Sequence, residues 1–344
     1  MHASDGPGPV LVPAHPAGTP SSFRSGLPAW IARRTALALL TLLLASILIF
    51  VATQLLPGDP AQAILGRDAT PQRVRVLDRE LGLDRPAVDQ YVSWLGGVVH
   101  GDFGTSLAAR RPVWDLLGER VGNSLTLIGL TALIALPLSL ALGVWTAVKR
   151  DGRLDRAVLL ASLGLTALPE FVIGMFLIIL LATTVFSVLP AVSVLAPGES
   201  PLSDPTALVL PTLTLVLALV PYLYRLVRAS MLDALRSEYV EMARLKGLPE
   251  SVVVRRHALP NALGPMIQGT AFVLGYILGG EVVVEALFGY PGIGELLVGA
   301  VSSRDVPMLQ AIVLIMTAAV VLLNLAADLA TVYLTPKLRT SSRG

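Results

Sequence analysis

Residues Thr35 to Leu56 read T-A-L-A-L-L-T-L-L-L-A-S-I-L-I-F-V-A-T-Q-L-L, with no charged side chain among them. A helix crosses about 30 Å of hydrocarbon with roughly 20 such residues. Five further apolar stretches follow, at about 122–148, 157–186, 207–229, 264–286 and 307–333. Pro137, Pro169, Pro211 and Pro221 fall inside some of them. Proline breaks a lone helix but is tolerated where neighbouring helices satisfy the freed carbonyls. Whole-chain composition agrees: 54% of the 344 residues are hydrophobic and 15% charged, and mean hydropathy is +0.71. Ordinary globular chains are about 25% charged. A soluble core cannot hide so much apolar side chain, so lipid is the solvent. The expectation is an all-α integral membrane protein with six transmembrane helices and both chain ends on one side.

Several chemistries are excluded at once. The net charge of +2 is too small for nucleic-acid binding through bulk charge. There is no cysteine, hence no disulfide, thiolate metal site or thiol nucleophile. His2, His15, His100 and His257 are scattered, with no pair at ligand spacing. Lysine occurs only at Lys149, Lys246 and Lys337, none of them in a G-x-x-x-x-G-K-[ST] context. The chain binds no nucleotide or other cofactor of its own, is not an enzyme, and takes any energy it uses from elsewhere.

Residues 1–28, rich in Pro, Gly, Ser and Ala, read as a disordered tail, followed by a first transmembrane helix over 29–56. Ala61-Gln62-Ala63 resembles a signal cleavage site, but the apolar run exceeds the roughly 7–15 residues of a signal core and reads as a retained anchor. Short-loop charge sets the orientation. With the N-terminus inside, 17 of the 26 Lys and Arg are cytoplasmic, while the external loops near 187–206 and 287–306 hold 0 and 1. The remaining 8 lie in 57–121, a segment long enough to escape the rule. Both termini are therefore expected in the cytoplasm, the second as a tail over 334–344.

The external segment 57–121 carries helix signals. Thr70-Pro71 opens one helix and Gly82 closes it; Pro86 opens a second that Gly96-Gly97 stops; Pro112 to Arg120 leads into span two. Such a segment is either a packed cap or a docking surface for a soluble partner. Beyond it lies the rest of the core, spans two to six over 122–333.

The longest cytoplasmic loop lies within 230–263. From Arg236 to Ala262 it reads R-S-E-Y-V-E-M-A-R-L-K-G-L-P-E-S-V-V-V-R-R-H-A-L-P-N-A. Leu232, Leu235, Tyr239, Met242 and Leu245 recur at helical spacing and predict one apolar stripe. Gly247 stands where a left-handed residue stops a helix. Pro249 restarts one, with Glu250 in its first turn, Arg255, Arg256 and His257 in its last, and Pro260 ending it. The result is a helical hairpin outside the membrane with an apolar stripe to bury.

Glu241-Met242-Ala243, Gly247 three residues on and Leu259-Pro260 eleven further resemble the EAA loop of binding-protein-dependent ABC importer permeases. Met242 stands where that signature has its first alanine, and His257 where it has isoleucine. His257-Ala258-Leu259-Pro260-Asn261-Ala262 is similar to the dipeptide/oligopeptide branch. So are Leu56-Pro57-Gly58-Asp59-Pro60, Leu81-Gly82-Leu83-Asp84-Arg85-Pro86, Gly101-Asp102-Phe103-Gly104-Thr105-Ser106, Phe288-Gly289-Tyr290-Pro291-Gly292-Ile293-Gly294, Arg304-Asp305-Val306-Pro307, and Asn324 with Asp328. Thr335-Pro336-Lys337 replaces the usual Asp-Pro-Arg. The resemblance spans about residues 30–340.

That resemblance implies a type I ABC importer permease of the bacterial inner membrane. Its partners would be a homologous second permease, two cytoplasmic ATPases that carry ATP and Mg, and an external solute-binding protein that delivers peptides. Glu241, Ala243, Arg244, Lys246, Gly247, Leu248, Leu259 and Pro260 would then form the ATPase-docking loop. Glu241 either bridges to Arg244 or meets a basic group on the ATPase.

Carboxylates inside spans are costly and face a cavity or a partner. Glu170, beside Pro169, lines the path or makes an interhelical hydrogen bond. Glu281 and Glu285, one turn apart, are candidates for gating or receptor contact, and Asp328 with Asn324 for a packing network. Gly292 and Gly294 fall outside, where no nucleotide is offered. The rival cargoes are nickel, glutathione or another small solute. A secondary transporter would explain the carboxylates but leaves the hairpin unexplained.

Overall fold

The computed structural model describes residues 27–55, 62, 65, 69–80, 82, 84–196 and 198–334. Both tails, the Leu56–Pro60 motif, most of the 61–68 stretch, Leu81, Leu83 and Thr335-Pro336-Lys337 lie outside these.

The described chain is helical: α1 (Leu27–Gln54), α2 (Pro71–Glu80), α3 (Ala87–Val99), α4 (Val113–Val148), α5 (Arg153–Thr166), α6 (Glu170–Leu177), α7 (Pro205–Leu235), α8 (Glu238–Leu245), α9 (Leu259–Phe288), α10 (Ile293–Ser303) and α11 (Val306–Leu334). Four helices, α1, α4, α7 and α11, are long and apolar enough to cross a membrane; the count reaches six if two bent pairs, α5 with α6 and the end of α9 with α10, are each one span.

The bends have sequence causes. Between α5 and α6 the chain turns by 103° at Pro169, which supplies no N–H to the ladder and pushes Leu168 out of helical geometry. Pro137, Pro211 and Pro221 instead sit within unbroken helices. The α9–α10 corner bends by 76° at Gly289, which takes φ +59° and ends α9 in the left-handed conformation that glycine adopts without penalty.

Helix α7 is the central post, touching α4, α5, α6, α8 and α9. Of its most apolar stretch 61% is buried within the chain, against 17% for α1, so α7 packs on protein while the leucines of α1 stay exposed on this chain. Gly143 of α4 lets α7 approach closely: a β-carbon there would lie 2.4 Å from Val227, the small-residue packing typical of membrane helices.

In the 57–121 segment, α3 runs through Gly96 and Gly97 rather than stopping there. Gly97 is glycine because a β-carbon would meet the Asp102 carbonyl at 2.9 Å. Helix α3 lies on α1, where Tyr91 hydrogen-bonds Ser46 (2.8 Å) and stacks edge-on against Phe50. Pro112 begins one continuous helix, α4, that carries on into the second span.

Candidate functional site

The predicted hairpin exists, with two differences. Helix α7 ends at Leu235 and α8 begins at Glu238, so Leu232 and Leu235 do not share a helix with Tyr239, Met242 and Leu245. The corner is Arg236-Ser237, where the Ser237 hydroxyl donates to the Ala234 carbonyl at 2.5 Å. The apolar stripe divides accordingly. Val240 and Ala243 face inward, joining Val227 and Met231 of α7 and Val253, Val254 and Ala258 in one core. Tyr239, Met242, Leu245 and Leu248 are 43%, 55%, 75% and 37% exposed.

Second, Pro260 does not end the helix after Pro249. Glu250–Val252 passes through a π-helical turn, Val253–Ala258, straight into α9. Pro260 stands at the second residue of α9, directly after the wide π-helical turn that makes room for it within the continuing helix. The Asn261 side chain donates to the His257 carbonyl at 2.7 Å. Arg255, Arg256 and His257 thus lie mid-helix and complement no C-terminal dipole; Arg255 and Arg256 are exposed.

Gly247 closes α8 with φ +78°. Its N–H donates to the Arg244 carbonyl (2.9 Å) and that of Leu248 to the Ala243 carbonyl (3.3 Å), the paired bonds of a Schellman end. Open space surrounds its α-carbon, so backbone conformation, not crowding, calls for glycine. Across this turn Arg244 grips Glu250 with two hydrogen bonds, Nη2 to Oε1 at 2.6 Å and Nε to Oε2 at 3.1 Å. The guanidinium holds the Glu250 carboxyl below the usual carboxylate range, and Glu250 in turn raises Arg244. Arg244 therefore pairs with Glu250 rather than Glu241, which is exposed and in no ion pair among the described residues. Lys246 and Pro260 are exposed; Leu259 packs on the hairpin core.

At the opposite end of the bundle, Glu285 is fully buried and ties three helices together. Its Oε1 accepts from the Ser124 hydroxyl of α4 (2.6 Å) and its Oε2 from the Gly294 N–H at the start of α10 (2.6 Å). Ser124 also accepts from the Ile293 N–H (2.8 Å), so a carboxylate and a hydroxyl cap the N-terminus of α10. Asn123 donates to the Pro291 carbonyl (2.8 Å) and buried Tyr290 to the Asn123 carbonyl (2.7 Å). A β-carbon on Gly292 would lie 2.1 Å from Glu285, and one on Gly294 2.4 Å from the Val282 backbone. These glycines admit the carboxylate to the helix end.

Beside this elbow sits buried Asp305. Its Oδ2 accepts from the Ser106 hydroxyl and from the Ala108 N–H at 3.3 Å. Its Oδ1 accepts from the N–H groups of Leu107 (3.1 Å) and Met308 (3.3 Å). The Gly101–Ser106 and Arg304–Pro307 motifs, some 200 residues apart in sequence, are one contact in space.

Two family descriptions match the chain. "Binding-protein-dependent transport system inner membrane component" covers residues 139–340, and the N-terminal membrane-component family of the same systems covers 28–128. The chain belongs to the binding-protein-dependent transport family of inner-membrane components. The glutathione transport system permease of Escherichia coli (strain K12) is 36% identical over 303 residues, 87% of this chain and 95% of that protein. The relative from Shigella flexneri serotype 5b (strain 8401) has the same description and coverage. A putative peptide transport system permease of Brucella abortus (strain 2308) is 34% identical over 313 residues, 91% of this chain and 99% of that one. The chain is thus a multi-pass, all-α permease subunit of an ABC importer.

In this permease the expected functional residues form two groups at opposite ends. Glu241 to Pro260 make the hairpin; Glu281 and Glu285 make the elbow. Glu170 belongs to neither group. It opens α6, partly buried, with its carboxylate over Gly280, where a β-carbon would lie 3.0 Å from Oε1. Asp328 does not join Asn324: it pairs with Arg34 of α1 at 3.0 Å, while Asn324 donates to the Val320 carbonyl of its own helix. Sequence reasoning missed Asp155, which is buried and takes two 2.8 Å bonds from Arg228. It also missed Ser124 and Asn123, whose only sequence signal is their polarity in an apolar run.

Proposed function

We propose that this permease carries short peptides, handed over by an external solute-binding protein, along a path shared with a homologous second permease. Two ATPases holding ATP and Mg would dock on the 236–260 hairpin. The observation that carries this reading is the exposed apolar face of Tyr239, Met242, Leu245 and Leu248, mounted on a hairpin whose other face is buried in the bundle. Isolated apolar residues at a surface are ordinary, but a cluster on a projecting element marks an interaction site. On this reading the hairpin and both chain termini are cytoplasmic, 57–121 is external, and the Glu285 elbow lies near the external face of the bacterial inner membrane.

ATP can act only by binding one arrangement better than another. Coupling then needs a hairpin that moves as a solid piece, and the Schellman turn with the Arg244–Glu250 clasp supplies it. Closure of the ATPases would drive the hairpins together and open the helices outward, and hydrolysis would reverse it. For cargo, the three named relatives support a peptide, glutathione being a tripeptide itself.

The test is uptake of labelled dipeptides, tripeptides and glutathione by the complete transporter in proteoliposomes, with and without ATP. Peptide uptake that needs ATP is the expected result. Uptake of nickel alone, or uptake by the permease pair without ATPases, would overturn it. Gly247→Pro should abolish both transport and co-purification of the ATPase.

A further inference from the structure

The buried elbow holds a second carboxyl that the capping of α10 does not use. Glu281 lies one helical turn before Glu285, is 4% exposed, and its Oε1 has no hydrogen-bond partner. Four residues apart on α9, the two side chains are neighbours on one face of that helix. An ionised carboxylate only accepts hydrogen bonds, so two of them bond to each other only through a proton.

Among the described residues no ion pair joins a cation to either carboxylate. On α4, Arg120 is engaged by Glu295 of α10 at 2.6 Å, and Glu119 adds only negative charge. The outer half of α7, residues 205–223, contains no ionisable side chain except Tyr222, and α6 offers only Glu170. Asp305 is occupied by its four donors, Asp328 pairs with Arg34 at the other end of α11, and Tyr290 donates to Asn123. The groups that do face Glu285 are the Ser124 hydroxyl and the Gly294 N–H, both donors. No group of three or more His, Cys, Asp or Glu side chains that could hold a metal ion occurs among the described residues. Two buried carboxyls one helical turn apart, one of them with an unpartnered oxygen, suit a proton.

We propose that Glu281 and Glu285 form a proton-binding site, one proton held between the two carboxyls, that locks the α9–α10 elbow onto α4. With the proton in place Glu281 stays buried and Glu285 is free to cap α10. Without it, two buried negative charges adjoin on one helix turn with no counter-charge. They cannot separate along α9, so the contact that yields is the one to α10. The site needs no particular cargo, and its failure would leave the peptide reading standing.

The test uses the complete transporter in nanodiscs at neutral pH. A hydrogen–deuterium-sensitive carboxylic-acid C=O stretch in the infrared spectrum should be present in the wild type and lost in Glu281→Gln. Replacing choline chloride by sodium chloride should leave that band unchanged. A second readout exploits the absence of cysteine. A single Cys replacing exposed Val298 on α10 should gain maleimide reactivity with pH severalfold more steeply than thiolate formation alone gives, and that excess should vanish when Glu281→Gln is added. If Glu281→Gln does not assemble, Glu281→Asp should shift the band. The proposal is overturned by identical wild-type and variant spectra, by a band that sodium abolishes, or by maleimide pH profiles that coincide with and without Glu281→Gln.

Discussion

The two ends of the bundle solve the same electrostatic problem differently. At the hairpin end, carboxylates from buried to exposed meet guanidinium groups: Asp155 with Arg228, Glu250 with Arg244, Asp328 with Arg34. At the elbow end, Asp305 and Glu285 are held by hydroxyls and backbone N–H groups, with Arg120–Glu295 the one ion pair there among the described residues. Although the 57–121 segment holds 8 Lys or Arg, the buried acids at that end draw on hydroxyls and on backbone N–H groups, several of them unpaired at helix starts. Charge pairs stiffen the hairpin; glycines and helix ends shape the elbow.

This contrast can be broken experimentally. The largest effect is expected at Asp155. Asp155→Ala strands Arg228 with no partner in a mostly buried site, a loss of about 3–5 kcal/mol, read as a fall in the thermal midpoint of the detergent-solubilised complex. Asp155→Leu with Arg228→Leu should recover part of it. At the elbow, Asp305→Ala leaves Ser106 and three N–H groups without their acceptor, at about 1–3 kcal/mol for a stranded buried donor. Asp305→Asn should rescue only in part, because its amide keeps one acceptor oxygen. If Asp305→Ala left the midpoint unmoved, the neutral-donor account of this end would fail.

Gly247→Val comes next in stability, at about 1–2 kcal/mol for a β-branched residue forced left-handed, yet it should cost more than about tenfold in uptake, since 1.4 kcal/mol of misdirected docking already equals a factor of ten. Membrane insertion should be normal. The smallest effect is the Arg244–Glu250 clasp, whose side chains are 43% and 50% exposed and whose pairing is worth about 0.2–1 kcal/mol. Charge reversal at either residue should loosen the hairpin, and the Arg244→Glu, Glu250→Arg exchange should restore it, measured by hydrogen exchange over 238–252. The Glu250 carboxyl is lowered from 4.5 by Arg244. The clasp therefore contributes fully above that ordinary value and fades as pH falls through the lowered one, while Arg244 stays charged throughout.

Much of the hairpin was legible in sequence because its signals are local. Gly247 and Pro249 act within a few residues, and the structure has its turn at Gly247, whereas the predicted stripe of Tyr239, Met242 and Leu245 is the exposed face of α8. The corner at Arg236-Ser237 was not legible, since Leu232 to Leu245 continues one helical spacing across it; packing of Val240 and Ala243 against α7 and α9 breaks what periodicity alone joins. Pro260 misled for a related reason. A proline signals a stop unless the preceding turn is wide enough to receive it. The elbow was legible only as parts: Glu281, Glu285 and the Pro-Gly-Ile-Gly run drew attention, but their joint purpose depends on Ser124 and Asn123, about 160 residues away.

Sequence by itself determined that this chain lives in lipid, that its helices run end to end across it, and that a glycine turn interrupts the segment between the third long helix and α9. Those properties depend on transfer free energy and backbone conformation, which each residue carries with it. Only the tertiary structure decided which carboxylate meets which donor. Arg244 had Glu241 nearer in sequence and took Glu250; Asp328 had Asn324 on its own helix and took Arg34. Hydrogen bonds and ion pairs are short-ranged and directional, so their partners are chosen by the approach of helices that sequence distance does not measure.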